Sequence, residues 1–376
     1  MTAVPGKPIR RRAMLAGLAG LAVASFAACA QSATTPAFAV QPGAADPLVR
    51  FRLTSDAGAA QWARHLDLAV LQHDPQLLAL SGGAEDGAFG AGALCGWSEH
   101  GDRPRFDIVT GVSSGALIAP FAFLGASHDP ILSAMFNTID ARDIMRFNGT
   151  TLLKNGALYD TTPLVKMIKA YTPPALIERI AARHRAGARL FVVTSHLETS
   201  QAVIWNMGEI AQAGWHNLFR AVIRASSALP GMFPAVTLKV GRGKAAQEET
   251  HVDGGVHMQF LAAPDAAFEL PPRKGSGGHA YLLINNTLQP ARQRAAHSAL
   301  GIAQQALTTM VRASAASSVN AARMLARRQR LGFSVASVAP DPDIVYDPDD
   351  RFSSSYMRAL FKQGHDRALQ DRLWEA

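Results

Sequence analysis

Residues 106–120 read FDIVTGVSSGALIAP. The opening FDIV is short, apolar and β-branched, the pattern of a buried strand. The closing SGALIAP, continued by FAFLG, reads as a packed helix with Pro120 near its middle. Between them stands Gly111-Val112-Ser113-Ser114-Gly115, a Gly-x-Ser-x-Gly sequence. Glycine and serine mark turns on conformational grounds alone, so an ordinary turn is one reading. The other is a nucleophile: where a strand turns sharply into a helix, a serine at the turn stands exposed and flanking glycines leave it room.

The rest of the chain has the rhythm of an α/β fold. QLLALSGG is a strand running into glycines, and GAFGAGALCGWSEHG is a helix closing at Gly101. PLVKMIKAYTPPALIERIAARHRAG reads as two helices broken at Pro173-Pro174, and RLFVVTSHLE with QAVIWNM as a strand pair. HNLFRAVIRASS is a helix, and ETHVDGGV is a short strand ending in glycines. HAYLLINN and GFSVASVAP are further strands, separated by a long helix over 291–330, and the C-terminal 353–374 is helical. WARHLDLAVLQ, 62–72, also has a helical pattern. Strands alternating with helices predict a layered sheet with parallel strands.

At 376 residues and 48% apolar composition the chain can bury a sizeable core. The formal charge is +8, but Lys7, Arg10, Arg11 and Arg12 supply half of it at the N-terminus. The remainder does not argue for nucleic acid, and no nucleic-acid motif, zinc-type Cys/His spacing or internal repeat stands out. KPIRRR followed by AMLAGLAGLAVASFAA is a basic and then apolar export signal. Small residues surround Cys29, and FAAC resembles a bacterial lipoprotein signal with Phe26 in place of the usual leucine. The expected organisation is a signal over 1–29, a small-residue tether over 30–49 and one catalytic domain over 50–376. The expected location is the bacterial cell envelope, as an outer-membrane lipoprotein anchored through Cys29; the alternative is a periplasmic or secreted protein. Cys95, in the apolar run GALCGW, reads as an inert buried thiol.

Two further segments join Ser113. LALSGGAEDGAFGAG, 78–92, places Gly82, Gly83 and Gly87 after a strand, where backbone N–H groups can surround an anion. HVDGGV, 251–256, sets Asp253 before Gly254 and Gly255, either as a turn or as a carboxylate aimed at a site.

A glycine loop, then Gly-x-Ser-x-Gly, then Asp-Gly-Gly, each after a strand, resembles the patatin-like phospholipase family. RASSALPGMFPAV and SSSYMRALFKQGHDRA extend the likeness, which runs from about 75 to 370. The resemblance implies a three-layer α/β/α fold and hydrolysis of acyl esters, with a lipid as substrate and no cofactor or metal. It implies Ser113 as nucleophile and Asp253 as its base, without a histidine. It also implies an oxyanion hole from the N–H groups of Gly82, Gly83 and Ala84, with Ser114 as a further donor. The family's Gly-Gly-Gly-x-Arg/Lys-Gly loop is altered here: Ala84 replaces the third glycine and Asp86 the basic residue. The loss of that base weakens the case for a phosphate-bearing substrate. Two alternatives stand beside this reading. A Ser-His-Asp triad would recruit His257, His279, His297 or His365, with His257 nearest the site in sequence. A non-catalytic envelope lipoprotein would keep the fold as a binding module.

Overall fold

The central sheet takes its shape from strands whose two faces are both apolar. In the computed structural model, residues 48–66, 74–147, 157–240, 247–275, 277–289, 299–347 and 350–375 are described. All lie in the second of two units, Ala45–Ala376. The export signal, most of the tether and Cys29 lie outside the described residues, as does His297.

Among the described residues, nine strands make one sheet: β1 (Arg52–Thr54), β2 (Gln76–Leu80), β3 (Ile108–Val112), β4 (Arg189–His196), β5 (Gln201–Asn206), β6 (Val236–Val240), β7 (Gln247–Asp253), β8 (His279–Ile284) and β9 (Gly332–Ser337). The order is β1-β5-β4-β3-β2-β8-β9, with β7 joined to β4 and β6 to β7. The stretch β4-β3-β2-β8-β9 is parallel, and the pairings at the β1, β5, β6 and β7 end are antiparallel.

Side chains alternate across a strand, so continuous apolar runs serve two cores. In β4, Leu190 and Val192 join one cluster, and Phe191 and Val193 join another. The larger cluster is covered by α1 (Gly87–His100), α2 (Ser114–Leu124), α3 (Asp129–Thr138), α4 (Thr162–Tyr171), α5 (Pro174–Arg185), α6 (His216–Ser226) and α8 (Ser354–Leu369). On the other face, α7 (Ala299–Arg328) sets Val319 against Leu282, Ile284 and Val335. Helix, sheet and helix form the three layers that the family resemblance implies, around the parallel strands that the sequence pattern predicts. The small residues of α1 have a packing reason: a Cβ on Gly92 would fall 1.9 Å from the Phe361 carbonyl oxygen of α8.

Of the helix expected over 62–72, residues 67–72 lie outside the described residues; the described part holds the end of one helical turn, Ala59–Trp62, and a turn through 66. Trp62 is buried against Phe191 and serves the core. Helix α2 runs through Pro120. Strands β1 and β6 and helix α3 were not anticipated. β1 is only three residues long, too short to show a period.

Candidate active site

The elbow begins where β3 stops. Val112 pairs with Val193 of β4, and the next residue, Ser113, turns with φ 54° and ψ −121°. A non-glycine residue at positive φ is costly, and such strain gathers at functional turns. The motif glycines make room for it. A Cβ on Gly111 would meet the Gly115 carbonyl oxygen at 2.5 Å, and one on Gly115 would meet the Leu80 carbonyl oxygen at 2.5 Å. The turn is held from outside the motif. Ser113 N–H donates to Ser226 Oγ at 2.9 Å, and Ser227 Oγ donates to the Ser113 carbonyl at 3.4 Å.

β4 outruns β3, and β7 takes up the vacated edge. Thr194 pairs with Asp253, one step beyond the Val193–Val112 pair. Ser113 and Asp253 thus meet end to end along β4. Ser113 Oγ donates to Asp253 Oδ2 at 2.6 Å, and Gly255 N–H donates to Oδ1 at 2.7 Å. Asp253 is buried, while Ser113 is half-buried. Burial pushes the Asp253 carboxyl up to about 6, against the hydrogen bonds from Ser113 and Gly255.

The glycine loop lies beside the serine, since a Cβ on Gly82 would sit 3.0 Å from Ser113 Cβ. One expectation is corrected here. Gly82 N–H donates to the Gln259 carbonyl at 2.9 Å, so it is spent on the scaffold and does not face the serine as a free donor. The N–H groups of Gly83, Ala84 and Ser114 have no acceptor among the described residues. Ser114 opens α2, where the first N–H groups lack intrahelical partners. Ala84 takes φ 51°, so the substituted loop keeps a glycine-like backbone in spite of its Cβ.

The described candidate histidines are elsewhere. His257 is exposed, His279 bonds Ser334 Oγ at 2.8 Å, and His365 bonds Glu99 at 2.9 Å. Among the described residues, none bonds Ser113 or Asp253. Cys95 is half-buried and free, and burial pushes its thiol up to about 12. Gly87 opens α1 against Ser114, and a Cβ on Gly254 would meet the Val193 carbonyl oxygen at 2.5 Å.

Several residues that shape the site carry no motif. Asn285, at the end of β8, is fully buried. Its side chain accepts from Gly90 N–H at 3.0 Å and donates to the Ser81 carbonyl at 2.8 Å, so it ties the glycine loop to α1. Arg351 grips Glu85 through two hydrogen bonds, and Tyr356 O–H donates to Asp86 at 2.7 Å. Burial, and then the Glu85 charge, push the Asp86 carboxyl up to about 7. Only the paired NN after a strand hinted at Asn285; nothing in the sequence links 351–356 to the loop.

Fold and site together define a three-layer α/β/α protein with a serine at a strand-to-helix elbow and a buried carboxylate bonded to it. Residues 78–264, just under half of the chain, match the family model described as patatin-like phospholipase, a family of lipolytic hydrolases. Among solved structures, VipD from Legionella pneumophila is similar at 13% identity and TM-score 0.33, over 80% of this chain and 67% of VipD. The type III effector protein ExoU is similar at 15% identity and TM-score 0.30, over 80% of this chain and 53% of ExoU. No curated protein matches the sequence.

Proposed function

We propose that the chain is a serine acyl-ester hydrolase acting on lipid esters through a Ser113–Asp253 dyad. The observation that carries this reading is the 2.6 Å hydrogen bond from the Ser113 hydroxyl to a buried carboxylate. A serine hydroxyl attacks poorly unless a base takes its proton as the new bond forms. Asp253 takes that proton and returns it to the leaving alkoxide. Water then enters, loses a proton to Asp253 and attacks the acyl carbonyl; Asp253 passes that proton to Ser113 Oγ as the acyl group leaves as the carboxylic acid. The N–H groups of Gly83, Ala84 and Ser114 receive the developing oxyanion; one such donor typically contributes about 3–4 kcal/mol.

Lipid esters are favoured by the family match to patatin-like phospholipases. Asp86 in place of the family's basic residue favours an ester group over a phosphate as the recognised feature. The proposed setting is the bacterial envelope, with Cys29 as a lipidated anchor, supported by the basic-apolar-Cys order of the N-terminus. Among the described residues no helix is long and apolar enough to cross a membrane.

The test is covalent labelling with a fluorophosphonate, followed by identification of the modified peptide. Ser113 should carry the label, and Ser113→Ala should abolish both labelling and ester hydrolysis. Wild-type turnover in Ser113→Ala would overturn the serine mechanism.

A further inference from the structure

β4 and β7 pair antiparallel, with His196 opposite His251 and Thr194 opposite Asp253. Directly opposed residues share a face of the sheet, as do residues two apart on one strand. His196, His251 and Glu249 therefore project together, on the face of the sheet that Thr194 and Asp253 also share. The two imidazoles stack with centroids 5.0 Å apart. Each is held in the same way. His251 Nδ1 lies 2.9 Å from Thr194 Oγ1, which also accepts from Trp205 Nε1–H. His196 Nδ1 lies 2.9 Å from Thr199 Oγ1. Both Nε2 atoms then face acids: His251 Nε2 is 3.3 Å from Glu249 Oε2, and His196 Nε2 is 3.0 Å from Glu198 Oε2. One donor atom from each of His196, Glu249 and His251 lies within 4.8 Å of the other two.

An imidazole that ligates a metal is characteristically fixed through its other ring nitrogen, which sets the tautomer and aims the ligand atom. Here two imidazoles are fixed through Nδ1 by threonine hydroxyls, and their Nε2 atoms face acids. Glu249 is itself oriented by two hydrogen bonds from Arg52. A carboxylate has about four lone-pair sites, so Arg52 does not exhaust it.

We propose that His196, His251 and Glu249 form a binding site for a Zn²⁺-type ion, with Glu198 at the fourth position. Two imidazoles and two carboxylates suit zinc, whereas calcium and magnesium ask for more oxygen ligands. Coordination through Nε2 requires each ring to carry its proton on Nδ1, where it donates to threonine. Glu198, Glu249 and Arg52 carry a net charge of −1 around the ion. The metal would clamp the end of β4 to β7, two residues before Asp253. It contributes no step to ester hydrolysis, and the proposal stands apart from the serine mechanism.

The test uses the untagged full chain, stripped with EDTA, desalted and titrated first with Co²⁺ and then with Zn²⁺. One equivalent of Co²⁺ should give the visible absorption of a four-coordinate ion, Zn²⁺ should displace it, and Zn²⁺ should raise the melting temperature. His196→Asn should lose the absorption and the thermal shift while keeping its circular dichroism. Thr199→Val should keep the site but bind about 10-fold more weakly. Ser113→Ala should bind metal as the wild type does. Absence of the cobalt absorption in wild-type protein would overturn the site. An unchanged spectrum in His196→Asn would do so too, by assigning the cobalt elsewhere.

Discussion

Ser113 and Asp253 lie 140 positions apart in the chain and 2.6 Å apart in space. Their meeting follows from strand register. Val112 and Asp253 pair with adjacent residues of β4, Val193 and Thr194, so the elbow after β3 opens directly onto the end of β7. The proposed dyad needs no histidine as a third catalytic residue.

Asp253→Asn should therefore lose as much activity as Ser113→Ala, about three or more orders of magnitude. Asparagine keeps the shape but cannot usefully accept the serine proton. His257→Ala, His279→Ala, His297→Ala and His365→Ala should each retain most activity. Steady-state kinetics on the panel, with folding checked by circular dichroism, decides the matter. One folded histidine variant as inactive as Ser113→Ala would replace the dyad with a triad.

The pH profile should show the base. Asp253 must be ionised to accept a proton, and its carboxyl is raised to about 6. Activity should fall as pH drops through about 6, approaching tenfold per unit below it, and level off above. The measurement is kcat/KM against pH in EDTA buffers, which keep the β7 strand free of metal. A flat profile down to pH 4, near an ordinary aspartate pKa, would contradict the raised value.

Ala84 holds φ 51°, a region in which a Cβ costs about 1–2 kcal/mol. Ala84→Gly removes that strain but loosens the unfolded chain, which offsets about 0.5–1 kcal/mol. The variant should be as stable as wild type or up to about 1.5 kcal/mol more so, with hydrolysis retained. A large loss of activity by thermal and kinetic assay would show that the methyl group shapes the oxyanion site.

Asn285→Ala should strand the Gly90 N–H and the Ser81 carbonyl, both now bonded to its side chain. Unpaired buried groups cost about 1–3 kcal/mol each. Chemical denaturation should show a loss of roughly 2–6 kcal/mol on that basis, with kcat falling alongside, because the glycine loop loses its tie to α1. A variant of unchanged stability and activity would remove Asn285 from any role at the site.

The mature N-terminus is open to direct reading. Mass spectrometry of protein recovered from bacterial membranes should find a lipid-modified Cys29. An unmodified start at Gln31 or beyond would indicate ordinary secretion instead.

Much of the site can be read along the chain because local geometry demands particular residues there. Gly111 and Gly115 must be small to crowd the elbow, and Gly254 must be small to pass the Val193 carbonyl. Such close approaches leave a spacing in the sequence, and apolar runs that serve two cores mark the layered sheet. What the tertiary structure alone decided depends on register between distant strands. Pairing with β4 set Asp253 beside Ser113, and β8 carried Asn285 under the glycine loop. The Gln259 carbonyl, 177 residues on, took Gly82 out of the oxyanion donors. His196 and His251 show no metal-ligand spacing because they face each other across two strands. Cross-strand neighbours are set by hydrogen-bond pairing and twist, and neither is written as a local pattern in the chain.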